Sequence, residues 1–221
     1  MLDRAILDTL ISKINKAHPI KEKDIGEFKF LKAPLMKFDI ESYDAEGLGH
    51  VSLMSMNAFF GLMKMDTIII NPKEKDLPLL SYDRVYVMGK DTLIVELYNT
   101  RADLNAALPE LREAKKNADA LPQNDLGEHW YDNVKLPQSV SLKAGKDFES
   151  KFDGVAIEVM DAYLATVADT EFDGQLKAER TEAYVEGLLE NGGPSTSIFQ
   201  KLFGKEKTAR LFRTVLFGTE K

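Results

Sequence analysis

"DLPLLSYDRVYVMGKDTLIVELYN" runs from Asp76 to Asn99, and its reading decides the fold. Two apolar runs flank Gly89, Lys90 and Asp91, residues that suit a tight turn, so 84–99 reads as an antiparallel hairpin. Ahead of it, "NPKEKDLP" is a polar loop bounded by prolines. One residue breaks the pattern: Asp83 stands just where an apolar strand begins. Aspartate is common at loop ends, so composition alone makes it a turn residue. The functional alternative places it at a strand's end, facing a space between a sheet and helices. Apolar walls there would raise its pKa towards neutrality and make it a proton donor.

Working outward, "LMKFDIES" alternates Met36, Phe38 and Ile40 with Lys37, Asp39 and Glu41, as a half-buried strand does. "GHVSLMSM" and "GLMKMDTIII" read as two further strands joined tightly through "NAFFG". Residues 3–17 form an amphipathic stripe of helical period. After residue 100 the period becomes helical or irregular. "ADLNAALPELREAKKNADAL" is helix-like but interrupted at Pro109, and 122–138 reads as a long loop holding the single Trp. Phe148, Phe152, Val155, Val159, Tyr163 and Val167 predict a helix in 147–168, with Asp147 as its N-cap. "LKAERTEAYVEGLLE" predicts another, stopped by Asn191-Gly192-Gly193-Pro194. Two short helices are expected around 196–203 and 205–217. Consecutive strands followed by clustered helices indicate an α+β fold, an antiparallel sheet covered by helices, in one domain over 1–221.

Composition narrows the chemistry. The 221 residues carry a net charge of −7 and no cysteine. That excludes disulfide scaffolds, thiol nucleophiles and cysteine-held metals, and fits a reducing, cytoplasmic setting. No window is long and apolar enough to read as a signal peptide or a membrane span. The acidic balance argues against a general nucleic-acid binder. Charge is uneven, however. Residues 147–190 carry a net −9, whereas 195–221 carry +4 and include Lys201, Lys205, Lys207, Arg210 and Arg213. No dinucleotide fingerprint, P-loop, zinc-protease or nucleophile-elbow motif is present. His18, His50 and His129 are far apart and read as surface or structural residues. Isolated carboxylates are left to do any chemistry.

Residues 71–99 resemble a segment of the ferredoxin-dependent bilin reductases, which reads as Pro, a polar stretch, Asp-Leu-Pro, two apolar residues, two variable ones and an Asp opening a strand. "WYDNVKLP" is similar to that family's Trp…Leu-Pro loop, and "IFQKLFGKEKTARLFRTVLFG" to its last two helices. The likeness covers 45–218 in patches and extends to the superfamily of red chlorophyll catabolite reductase. It implies an α/β/α sandwich: a central antiparallel sheet between helical layers, with a tetrapyrrole between the sheet and the C-terminal helices. It implies no bound flavin, nicotinamide or metal. Electrons would come singly from reduced ferredoxin, in a radical mechanism, and the protein would supply protons to biliverdin or a close relative.

Carried onto this sequence, the resemblance makes Asp83 the principal proton donor. The phycocyanobilin-forming branch has a histidine where Asp66 or Thr67 stands, so Asp66 is expected as an auxiliary acid on the cavity face. That branch has a glutamate near Ser52, which here leaves a candidate contact without a carboxyl. Asn191 stands nearest to an aspartate of many relatives and is expected to position substrate. Thr92 falls at a hydroxyl position that contacts a propionate, and Lys90 and Arg101 are propionate partners by charge. The basic end (Lys201, Lys205, Lys207, Arg210, Arg213) is the expected ferredoxin-docking patch. A non-catalytic tetrapyrrole carrier on the same fold is the first rival expectation, and an unrelated α+β interaction module in which Asp83 is only structural is the second.

Overall fold

The computed structural model describes residues 5–193 and 195–220. Residues 3 and 4, expected at the head of the first helix, and Pro194, part of the expected stop signal, lie outside them. Alternating apolar residues become strands β1 (Ile20–Glu22), β2 (Phe30–Ala33), β3 (Met36–Ala45), β4 (Gly49–Ala58), β5 (Met63–Asn71), β6 (Leu79–Val87), β7 (Lys90–Tyr98) and β8 (Val140–Gly145). All pair antiparallel in the order β1-β3-β4-β5-β6-β7-β8, with β2 also beside β3. The turn between β6 and β7 is Met88-Gly89 alone, with φ of 48° and 81°. Positive φ at both central residues is the I′ geometry that matches the twist of a hairpin. Lys90 and Asp91, read as turn residues from the sequence, therefore belong to β7.

The helices are α1 (Ala5–Ala17), α2 (Pro109–Asp119), α3 (Glu149–Ala165), α4 (Gly174–Asn191), α5 (Thr196–Phe203) and α6 (Lys205–Arg210). Pro109 begins α2 rather than interrupting a helix, because the first turn has no use for its missing N–H. Asp147 lies in a 3-10 turn before α3 and does not cap it. The cap of this kind is on α4, where Asp173 Oδ1 accepts from Leu176 N at 2.9 Å. α6 continues into a π-helical stretch, Leu211–Leu216, closed by Phe217 N donating to Phe212 O at 2.9 Å.

Both faces of the sheet are covered, which makes three layers. One face packs Val51, Leu53, Ile68, Ile70, Leu80 and Leu93 against Leu7, Leu10, Phe152 and Val159 of α1 and α3. The other sets Phe38, Ile40, Met54, Met56 and Ile69 against Val185, Phe199, Phe212 and Leu216 of the C-terminal elements. The first face also buries an ion pair. Arg84, 1% exposed, donates from Nε and Nη2 to both oxygens of Asp91 at 2.6 Å. Polar side chains of the sheet fasten the last described segment: His50 Nε2 meets Val215 O at 2.8 Å, Ser52 Oγ donates to Leu216 O at 2.7 Å, and Asn71 Nδ2 donates to Phe217 O at 2.8 Å.

Candidate active site

Successive side chains on a strand point to opposite faces, so one register fixes the whole wall. On the C-terminal side of the sheet, Met63, Met65, Thr67 and Ile69 of β5, Ser81, Asp83 and Val85 of β6, and Ile94, Glu96 and Tyr98 of β7 face a single cavity of about 370 Å³. Its opposite wall comes from Tyr184 and Leu188 of α4, from Ser195, Thr196, Ile198 and Phe199, and from Phe212, Leu216 and Phe217. The volume lies in the range of small-molecule sites, and a mostly apolar lining with a few polar groups is their usual composition.

Asp83 lies on the cavity floor, mid-strand rather than at the strand's mouth. Burial pushes its carboxyl up to about 6, and the nearby Glu96 charge pushes the same way. Hydrogen bonds from Thr67 Oγ1 (2.6 Å to Oδ1) and Ser81 Oγ (3.2 Å to Oδ2) oppose that rise without cancelling it. The result is a carboxyl poised to give up a proton near neutral pH.

Asp66 is not in this cavity. It pairs across the sheet with Arg84, shares the α1–α3 face with Ile68 and Ile70, and accepts from Ser55 Oγ at 2.5 Å. Thr67 is the inward residue, so the auxiliary-acid role expected for Asp66 is corrected. The apolar neighbours that suggested Asp66 belong to the other core, and with both faces buried they cannot tell which one holds the cavity.

The remaining expected contacts also move. Ser52 is on the correct face but does not line the cavity, and its hydroxyl is taken by Leu216 O. Asn191 is exposed as the last residue of α4. Trp130 Nε1 donates to Gly192 O at 2.7 Å just beyond it, and the chain then presents Ser195 and Thr196 to the cavity instead. Arg101, 2% exposed, is spent on Asn99 Oδ1, Ala106 O and Leu104 O, which fold its own loop. Thr92 lies on the cavity face of β7 one step outward from Ile94, beyond the lining residues, and Lys90 is exposed at the start of that strand.

At the basic end, Lys207 and Arg210 both pair with Glu27 (2.6 and 2.9 Å), and Arg213 grips Glu186 at 2.6 Å. Only Lys201 and Lys205 of the expected five lack an ion pair among the described residues, so the patch is weaker than its sequence suggests.

Sequence reasoning missed five residues. Glu96, 5% exposed, accepts from Tyr98 OH at 2.6 Å through Oε2, and its Oε1 is 3.7 Å from Lys135 Nζ with no hydrogen bond. His129 stacks on Tyr131 at 4.9 Å, and its Nδ1 and the Tyr131 hydroxyl are buried without hydrogen-bond partners. Tyr98 and Tyr184 lie with ring centroids 4.3 Å apart, and burial raises the pKa of both phenols. Glu96 was visible by the reasoning applied to Asp83, as a lone carboxyl in the apolar run "LIVELY". His129 carried no local signal, because it reaches the site from an irregular loop.

Three polar atoms without hydrogen bonds, on residues of a mostly apolar wall, describe a site shaped for an apolar ligand with several polar points. A crystal structure of phytochromobilin synthase from tomato in complex with biliverdin is similar, with a TM-score of 0.80 over 98% of this chain and 83% of that one. The two share a fold. Their sequences are 13% identical, and no family model and no curated protein matches this chain.

Proposed function

We propose that this protein is a ferredoxin-dependent bilin reductase, acting on biliverdin or a closely related linear tetrapyrrole. The observation that carries the reading is Asp83: a carboxyl raised to about 6, on the floor of a cavity of about 370 Å³, beside buried polar atoms of Glu96, His129 and Tyr131 that make no hydrogen bond within the protein. A linear tetrapyrrole offers apolar edges to the methionines and aromatic rings and a line of pyrrole N–H and lactam oxygens to those polar groups. The similarity of fold to a biliverdin-binding protein supports the same reading.

Reducing one double bond takes two electrons and two protons. In this reading reduced ferredoxin supplies the electrons one at a time, and the chain supplies the protons. Asp83 donates to the bilin after electron uptake, when the added charge makes the tetrapyrrole more basic. Thr67 and Ser81 stabilise the carboxylate left behind and orient it for re-protonation. Glu96 replaces Asp66 as the second carboxyl of the cavity, and its negative charge helps Asp83 keep its proton until the bilin takes it.

Absorbance tests this directly. Binding shifts the biliverdin spectrum, and turnover with reduced ferredoxin then changes it again as conjugation is lost. Asp83→Asn is expected to keep the first change and slow the second by about 10²-fold, the usual scale for losing a general acid. A spectral shift with no turnover in the wild type would make the protein a tetrapyrrole carrier. No shift at all would end both readings.

A further inference from the structure

Three hairpin tips stand side by side at one end of the sheet, and each carries bare apolar side chains beside lysine. The β2–β3 turn presents Leu35, the β4–β5 connection Phe59, Phe60 and Leu62, and the β6–β7 turn Met88. Backbone hydrogen bonds tie the row together, from Phe59 N to Leu35 O at 2.9 Å and from Met88 N to Leu62 O at 3.3 Å. Phe60 is 95% exposed, Met88 84% and Leu62 63%. Leu35, Phe59, Phe60 and Met88 all take positive φ, between 48° and 61°. Non-glycine residues rarely adopt that region, and here it turns large apolar side chains outward instead of tucking them in.

The charges around them have one sign. Lys32 and Lys37 flank the first tip, Lys64 the second and Lys90 the third, and 32–37, 57–64 and 86–90 contain no Asp or Glu. None of these four lysines has an ion pair among the described residues. Such a cluster on a chain of net charge −7 is a local feature, not a reflection of the whole.

We infer that this end of the sheet docks on an anionic lipid surface. Exposed aromatic and aliphatic side chains framed by lysine are the composition that binds the headgroup boundary. Protein–protein interfaces are instead depleted in lysine and enriched in arginine, and there is no arginine in the three tips. Among the described residues no helix is long and apolar enough to cross a membrane. Directly behind the tips, Met36, Met63 and Val85 line the cavity, which places its outer end against the bound surface. This inference does not depend on the reaction proposed above.

Co-sedimentation with phosphatidylcholine vesicles, with and without about a third phosphatidylserine, tests it. The wild type should pellet with the anionic vesicles and be released by high salt, since screening weakens exposed charge. Phe60→Ser should lower partitioning about tenfold, and Lys64→Gln with Lys90→Gln by a similar factor, with thermal stability unchanged because these side chains are exposed or half-buried. The chain has no cysteine, so a dye placed through Phe60→Cys reports this tip alone and should shift to the blue on anionic vesicles. A wild type that stays in the supernatant, or a Phe60→Ser variant that pellets equally well, overturns the assignment. So does a concentration-dependent dimer abolished by Phe60→Ser with no vesicle binding, which would make the tips a self-association face.

Discussion

Replacing Asp83 with asparagine should make the protein more stable at neutral and alkaline pH. Burial raises this carboxyl from 3.8 to about 6. The native state therefore holds its proton more tightly than the unfolded chain does. Stability falls as pH rises from about 4 to about 6, and stays lower above that window. The difference between the two pKa values corresponds to ~3 kcal/mol. Asp83 is partly reached by solvent through the cavity, so the net expectation is about 2 kcal/mol, after discounting for screening. Asparagine keeps an oxygen for Thr67 Oγ1, and Ser81 Oγ can turn to accept from the new amide, so both hydrogen-bond positions are retained. For a chain of 221 residues this means a rise in Tm of roughly 4–8 °C at pH ~8, shrinking towards zero at pH ~4. Thermal unfolding of both proteins across that range measures it. An equal gain at both ends would mean that packing, not a strained charge, is responsible. A loss at pH ~8 would refute the raised pKa itself. A stability gain coupled to lost turnover is what a site tuned for chemistry produces.

Three further outcomes follow from the geometry. Thr67→Val removes the 2.6 Å donor to Asp83, so the Asp83 pKa should rise further, seen as an upward shift in its carboxyl carbon resonance titration; an unmoved midpoint would deny that the hydroxyl stabilises the anion. Arg84→Met leaves Asp91 buried and unpaired and should cost about 3–5 kcal/mol in urea unfolding, with Arg84→Met/Asp91→Leu recovering much of it. In Gly187→Ala the new methyl would sit 2.3 Å from Trp130, so the variant should lose about 1–3 kcal/mol despite alanine's better helix propensity, and should perturb the emission of the single tryptophan.

The sheet and the C-terminal helices were legible because their periods are clean and their stops explicit. The strand "LMKFDIES" and the 84–99 hairpin needed only alternation and a glycine. β1, β2 and β8 were not read: the first two are three and four residues long, and β8 follows a loop that gives no cue to its partner. The site was legible only where a residue's type was out of place in its own strand. Asp83 stood out in that way, and Glu96 had the same signal. Asp66 was misplaced because Ile68 and Ile70 mark burial but not which face is buried, and in a sheet covered on both sides that is the deciding fact. Arg101 and the pair Lys207 and Arg210 looked available because sequence shows charges, not the carbonyls and carboxylates that fold back onto them.

The hydrogen bonds that fasten Val215, Leu216 and Phe217 to His50, Ser52 and Asn71 have a consequence for synthesis. The ribosome completes β1–β7 more than a hundred residues before it makes this segment. Until Phe212 to Phe217 emerge, the methionines and aromatic rings of the C-terminal sheet face have no cover. The nascent chain therefore carries a ready-made sheet with one open greasy side, the type of intermediate that sticks to its neighbours. Its yield in cells should depend on chaperone supply more than its final stability suggests, and stalling translation between β8 and α6 should enrich chaperone-bound chains.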